Sequence, residues 1–243
     1  MRYRLFIFIC LCTIWQMQTA AQEKVSFYSS DSLQITADFY RSSEKAPWII
    51  LLHQAESSRG EYTDIAKKLM KLGFSALAVD LRTGGKANFV PNETAQRAAI
   101  ANYPSRFLDA RKDIEAAIDY ATLKSGKKVL LMGSSFSASL SLMIASSDNR
   151  IMGIMALSPG EFFSPLFQVR DSIDFIEVPV FVGCAKNEKD YVSHLINKID
   201  DEFITFFYPA EFGGSHGARS LWDTDPVSDE YWLSLTMFLN KFK

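Results

Sequence analysis

Six short runs of this chain read as strands, "APWIILLHQ", "FSALAVD", "KKVLLMG", "IMGIMALSP", "VPVFVGCA" and "EFITFFYPA", and the first two read as strands buried on both faces. A strand with one wet face alternates apolar and polar residues, whereas a strand covered on both faces is continuously apolar. Between these runs lie stretches of helical spacing. "EYTDIAKKLMKLG" places Ile65, Leu69 and Leu72 on one face and ends at Gly73, a C-cap signal. "RFLDARKDIEAAIDYATLKSG", "FSASLSLMIAS", "DYVSHLINKID" and "DEYWLSLTMFLNKF" read the same way. Strand–helix alternation implies a mostly parallel sheet with helices on both faces. Ahead of it, "KVSFYSS" and "LQITADFY" alternate and meet at Asp31-Ser32, which predicts an antiparallel hairpin. The expectation is an α/β fold with about eight strands, in a single domain over residues 22–243.

Two stretches fall outside the alternation. "LRTGGKANFVPNETAQRAAIANYPS" is rich in Gly, Asn, Thr and Pro and predicts an excursion outside the sheet. "GEFFSPLFQVRDSIDFIE" predicts a connection with some helix. It is too short for a large helical lid.

A chain of 243 residues can bury a large core. Its hydrophobic share of 48%, against 22% charged, excludes a disordered polymer. The formal charge is −2 and there is no long basic run, so nucleic acid is not an expected partner. The N-terminus begins with the basic "MRYR", continues with the apolar "LFIFICLCTIW" and ends in small residues at Thr19 and Ala21. That order predicts a signal peptide over residues 1–21, cleaved before Gln22, and an exported protein, periplasmic or extracellular. The apolar centre is short for a spanning helix, so no stable membrane insertion of the mature chain is expected. Cleavage removes Cys10 and Cys12 and leaves Cys184, expected as a buried core thiol. No paired Cys/His spacing suggests a metal, and no cofactor is called for.

The stretch with chemistry in it is Gly133-Ser134-Ser135-Phe136-Ser137, where a strand turns into a helix. Active groups collect at the carboxyl ends of parallel strands. A sharp strand-to-helix turn that exposes a Ser hydroxyl requires small neighbours. Ser135 is therefore the expected nucleophile. The helix N-terminus behind it aims the N–H of Phe136 at a substrate oxygen, one half of an oxyanion hole. A serine needs a base, and the base needs an orienting acid. Of three His, His53 ends an early strand, His194 lies in a predicted helix and His216 lies in the Gly-rich "EFGGSHGARSLW" after the last strand. His216 is the expected base. The acid is expected after "VPVFVGCA", in "KNEKDY", as Glu188, with Asp190 as the alternative or as the cap of the following helix. The chain order is then Ser, acid, His.

These residues resemble the α/β-hydrolase superfamily, and within it the small, lidless dienelactone-hydrolase-like and esterase-like members. The resemblance covers essentially the whole mature chain and implies the α/β-hydrolase fold. It also implies that the turn in "LLHQAESSRGEY" supplies the second oxyanion donor. By position this is Ala55, with Gln54 as the alternative, and His53 is structural. Phe162 and Phe163 are implied as substrate-pocket residues. The chain departs from the family at Ser137, where Gly is usual, at the acid loop, and in carrying Ser where dienelactone hydrolases carry Cys. The expected function is hydrolysis of a small carboxylic ester, thioester or lactone through an acyl-enzyme, with a small molecule as substrate. The alternatives are a non-catalytic binding module on the same fold and a small secreted peptidase of the superfamily.

Overall fold

The computed structural model describes residues 22–211 and 213–243. The expected signal peptide lies outside the described residues. The opening hairpin pairs β1 (Gln22–Tyr28) antiparallel with β2 (Gln34–Tyr40). Its turn holds Ser32 at φ 67°. The apolar runs form β3 (Trp48–Leu52), β4 (Ser75–Val79), β7 (Val129–Ser134), β8 (Ile151–Leu157), β9 (Val180–Gly183) and β10 (Ile204–Phe207). Together they make one eight-stranded sheet in the order β1-β2-β4-β3-β7-β8-β9-β10. Pairing is parallel from β4 through β10, and β2 meets β4 antiparallel.

The helices are α1 (Thr63–Lys71), α2 (Glu93–Ile100), α3 (Arg111–Ser125), α4 (Phe136–Ala145), α5 (Lys189–Ile196) and α6 (Ser228–Leu239). Alternate residues of each central strand feed opposite cores, as the two-residue period of a strand requires. Ile50, Leu52 and Leu131 face a core shared with α3, α4 and α5. Ile49, Leu51, Leu130 and Met132 face a second core shared with α1 and α6. Gly73 at φ 95° and Gly126 at φ 65° end α1 and α3, at angles that a side chain would strain.

The Gly- and Asn-rich excursion has more internal structure than its composition suggests. It carries a short antiparallel ribbon, β5 (Lys86–Ala87) with β6 (Val90–Pro91), and then α2. Asn92 caps α2 by accepting a hydrogen bond from Ala95 N–H at 2.7 Å. In the connection after β8, the expected helix is a single 3₁₀ turn at Val169–Ser172. Among the described residues no helix is long and apolar enough to cross a membrane.

Candidate active site

β7 brings its backbone to Ser135, which sits at φ 60° and ψ −122° before α4 begins. A non-glycine residue in this region is strained by about 1–3 kcal/mol and persists only where its surroundings hold it. Here Ser135 N–H donates to Leu157 O on β8 at 2.8 Å, and its carbonyl accepts from Ala138 N–H at 3.0 Å. A Cβ on Gly133 would lie 2.5 Å from the Ala138 Cα, so glycine is required there. Ser137 has room for its side chain and gives it work. Its hydroxyl accepts from Ser134 N–H at 2.9 Å and lies within 2.7 Å of Leu52 O on β3. The departure from Gly at position 137 thus ties the elbow to the neighbouring strand.

His216 lies on the loop after β10, and its Nδ1 hydrogen-bonds to Glu188 Oε1. The proton is assigned to Nδ1, because that nitrogen faces a carboxylate and Nε2 does not. The second Glu188 oxygen accepts from Ser158 Oγ at 2.6 Å and from Ala185 N–H at 3.0 Å. Burial pushes the Glu188 carboxyl up. The hydrogen bonds from His216, Ser158 and Ala185 outweigh burial and hold it below the ordinary glutamate range. Asp190 is exposed in the first turn of α5, makes no side-chain cap there and does not pair with His216.

The His216 loop is held at two points, one at the end of β8 and one at the elbow. Gly217 N–H donates to Ser158 Oγ at 2.9 Å, and Ala218 N–H donates to Ser134 Oγ at 2.9 Å. Gly217 at φ 66° approaches so closely that a Cβ would sit 2.4 Å from Ser134 Oγ. Among the described residues no hydrogen bond joins Ser135 Oγ to the imidazole. Such contacts commonly tighten only with substrate in place.

The two candidates for the second oxyanion donor differ in availability. Gln54 N–H is occupied by Glu61 Oε2 at 3.1 Å. Among the described residues neither the Ala55 nor the Phe136 N–H is bonded to another protein group. His53 is fully buried. Its Nδ1–H donates to Gln54 O at 2.7 Å, and its Nε2 accepts from Leu81 N–H at 3.0 Å and Asn92 Nδ2 at 3.1 Å. Burial lowers its pKa, so it is a neutral strut for the Gln54–Ala55 turn. Of the expected pocket residues, Phe163 is buried and Phe162 is partly exposed. Both line one cavity beside Phe107 and Leu108. Cys184 is buried, and burial pushes its thiol up to about 12.

Sequence reasoning passed over Ser158. It stands in "ALSPG" at the carboxyl end of β8, between the elbow strand and the acid strand, which is the position that marked the other site residues. It also holds a positive φ of 51°.

A profile of the dienelactone hydrolase family matches residues 35–212. The chain belongs to the dienelactone hydrolase family. No curated protein matches it in sequence. Among solved structures, an esterase of Pyrococcus furiosus superposes with a TM-score of 0.69 at 17% identity, covering 91% of this chain and 92% of that one. A dienelactone hydrolase of Anabaena variabilis gives 0.70 at 11% identity, covering 91% and 97%. The esterase domain of a Rhodothermus marinus protein gives 0.64 at 12%, covering 91% and 98%. At these identities the superpositions show that this dienelactone hydrolase family member has the α/β-hydrolase fold.

Proposed function

We propose that this member of the dienelactone hydrolase family is a serine hydrolase that cleaves small carboxylic esters, thioesters or lactones through an acyl-enzyme. The observation that carries the reading is the His216–Glu188–Ser158 chain of hydrogen bonds, docked on the strained turn that holds Ser135. Family membership and the esterase neighbours support hydrolysis of ester-like substrates.

In this mechanism Ser135 Oγ attacks the carbonyl carbon as His216 Nε2 takes its proton. Glu188 fixes the imidazole tautomer and stabilises the cation that forms. The Phe136 and Ala55 N–H groups, both unengaged, receive the oxyanion. His216 returns the proton to the leaving group, and water then releases the acyl group by the same route. The basic start and apolar centre of residues 1–21 support export of the chain.

The test is a fluorophosphonate probe on the protein of residues 22–243, with the labelled residue mapped by mass spectrometry. Labelling at Ser135 that Ser135→Ala and His216→Ala abolish supports an activated serine. A folded sample that does not label overturns the reading.

A further inference from the structure

A cavity of about 190 Å³ opens between the segment before α3 and the connection after β8. Its walls are Phe107, Leu108, Phe162, Phe163 and Leu166, with one neutral polar residue, Ser164, and with the exposed Arg106 beside them. The Arg106 guanidinium is paired with Asp109, which leaves no free charge to hold an anion. The Phe107 ring stacks on Phe136 at a centroid distance of 4.5 Å and an interplanar angle of 16°. Phe136 directly follows Ser135, so the cavity wall and the reactive turn share one piece of packing. Ala55 packs into the same apolar cluster as Phe107, Phe136 and Phe163.

The two faces of the sheet separate the two halves of a substrate. The His216 loop packs through Ala218 and Leu221 into the core on the α1 and α6 face. His216 must protonate the departing group, so that group leaves on the histidine side. The cavity belongs to the opposite, α3 and α4 face. The part of the substrate that stays bonded to Ser135 therefore falls to the cavity. At about 30 Å³ per water, its volume equals roughly six waters, room for about six non-hydrogen atoms.

Resting on the hydrolase reading, we propose that this cavity is the acyl site, and that it selects esters of neutral, apolar acyl groups of phenyl or hexanoyl size. Acetyl leaves most of it empty. A decanoyl chain gains nothing beyond what hexanoyl gains, because its end lies outside.

The experiment measures kcat/KM on p-nitrophenyl acetate, butyrate, hexanoate, decanoate and phenylacetate, which hold the leaving group constant, beside the fluorophosphonate labelling of Ser135. Each buried methylene contributes roughly fourfold, so a rise of at least tenfold from acetate to hexanoate, level to decanoate, is expected. Leu166→Trp fills the cavity from a position that is 63% exposed. It is expected to lower the hexanoate-to-acetate ratio at least fivefold. Phenylacetate should follow hexanoate in both proteins. Labelled protein with a flat acyl profile, or with a ratio that Leu166→Trp leaves unchanged, overturns the acyl site and leaves the hydrolase reading standing. Selectivity that follows the alcohol across a series of acetate esters does the same. Absence of labelling overturns both.

Discussion

Ser135 sits at φ 60° and ψ −122°, a strained place for a residue with a Cβ, and an alanine there would keep the backbone and lose only the hydroxyl. In Ser135→Ala, kcat/KM on any accepted ester is expected to drop roughly 10⁴- to 10⁶-fold with the fold intact, measured by initial rates and circular dichroism. The carboxylate in contact with His216 is Glu188 and not Asp190, so on the serine-hydrolase reading Glu188 is the acid. Glu188→Gln should cost about 10³- to 10⁴-fold, whereas Asp190→Asn should change the rate less than about threefold. Ser158 separates positioning from stability. Its hydroxyl supports both Glu188 and Gly217, and its φ of 51° suits glycine. A lost hydrogen bond to a charged group costs about 1.5–3 kcal/mol. Ser158→Gly is therefore expected to lower kcat about 10- to 100-fold with KM nearly unchanged. Relief of the backbone strain offsets part of the lost hydrogen bonding, so its urea midpoint should stay near the parent's. A stability loss that fully accounts for the lost rate would show Ser158 to be structural only.

Between elements, the opening hairpin is tied to the rest of the fold by Asp31. Its two oxygens receive the two terminal nitrogens of the buried Arg82 at 2.8 Å each, and Arg82 also bonds Asp113 on α3. The Arg82 guanidinium holds the Asp31 carboxyl well below the usual aspartate range, against the upward pull of burial. A depressed folded pKa contributes stability that is present above the unfolded value of about 3.9 and is lost as pH falls below it. Asp31→Asn should thus cost about 2 kcal/mol at pH 7 and distinctly less at pH 3, read from urea unfolding at both values. A difference that is equal at the two pH values would remove Asp31 from the acid response. How legible an element was in sequence depended on how local its causes are. The central strands such as β3 and β7 were readable because burial on both faces leaves a continuous apolar run, and α1 and α3 because Gly73 and Gly126 stop them. α2 was not read, since it buries only Thr94 and Ala98 and shows little apolar period. Its one local sign was Asn92 followed by Glu93, a cap and a first-turn acid. The contact between His216 and Glu188 beside the Ser135 turn was readable in outline, because all three lie in segments that follow strand ends. Ser158 and Phe107 were not, because their roles lie in contacts with distant residues, Glu188 and Gly217 for one and Phe136 for the other.

For the molecule as a whole, Cys184 is a reporter of how the two cores open. The thiol follows β9, is 1% exposed and packs in the core of the α3 and α4 face. Its carbonyl accepts from Tyr231 Oη on α6, in the opposite core, at 2.7 Å. Reaching the sulfur from solvent means lifting β9 away from packing on both faces. Burial, reinforced by the Glu188 charge, also pushes the thiol up to about 12, so almost no thiolate is present at neutral pH. In the protein of residues 22–243, where Cys184 is the sole cysteine, native maleimide labelling at pH 7 should be slow, and its rate should fall in step with the global unfolding equilibrium. The free energy from labelling should match that from urea denaturation, and unfolding urea should release labelling at the rate of a free thiol. The competing possibility is set by the sheet order. β10 is an edge strand of only half-buried residues beside β9. If labelling reports a free energy well below the global value, the β9–β10 edge opens on its own. Glu188, four residues beyond Cys184, would then open with it, and labelling and loss of activity in sub-denaturing urea would share one midpoint.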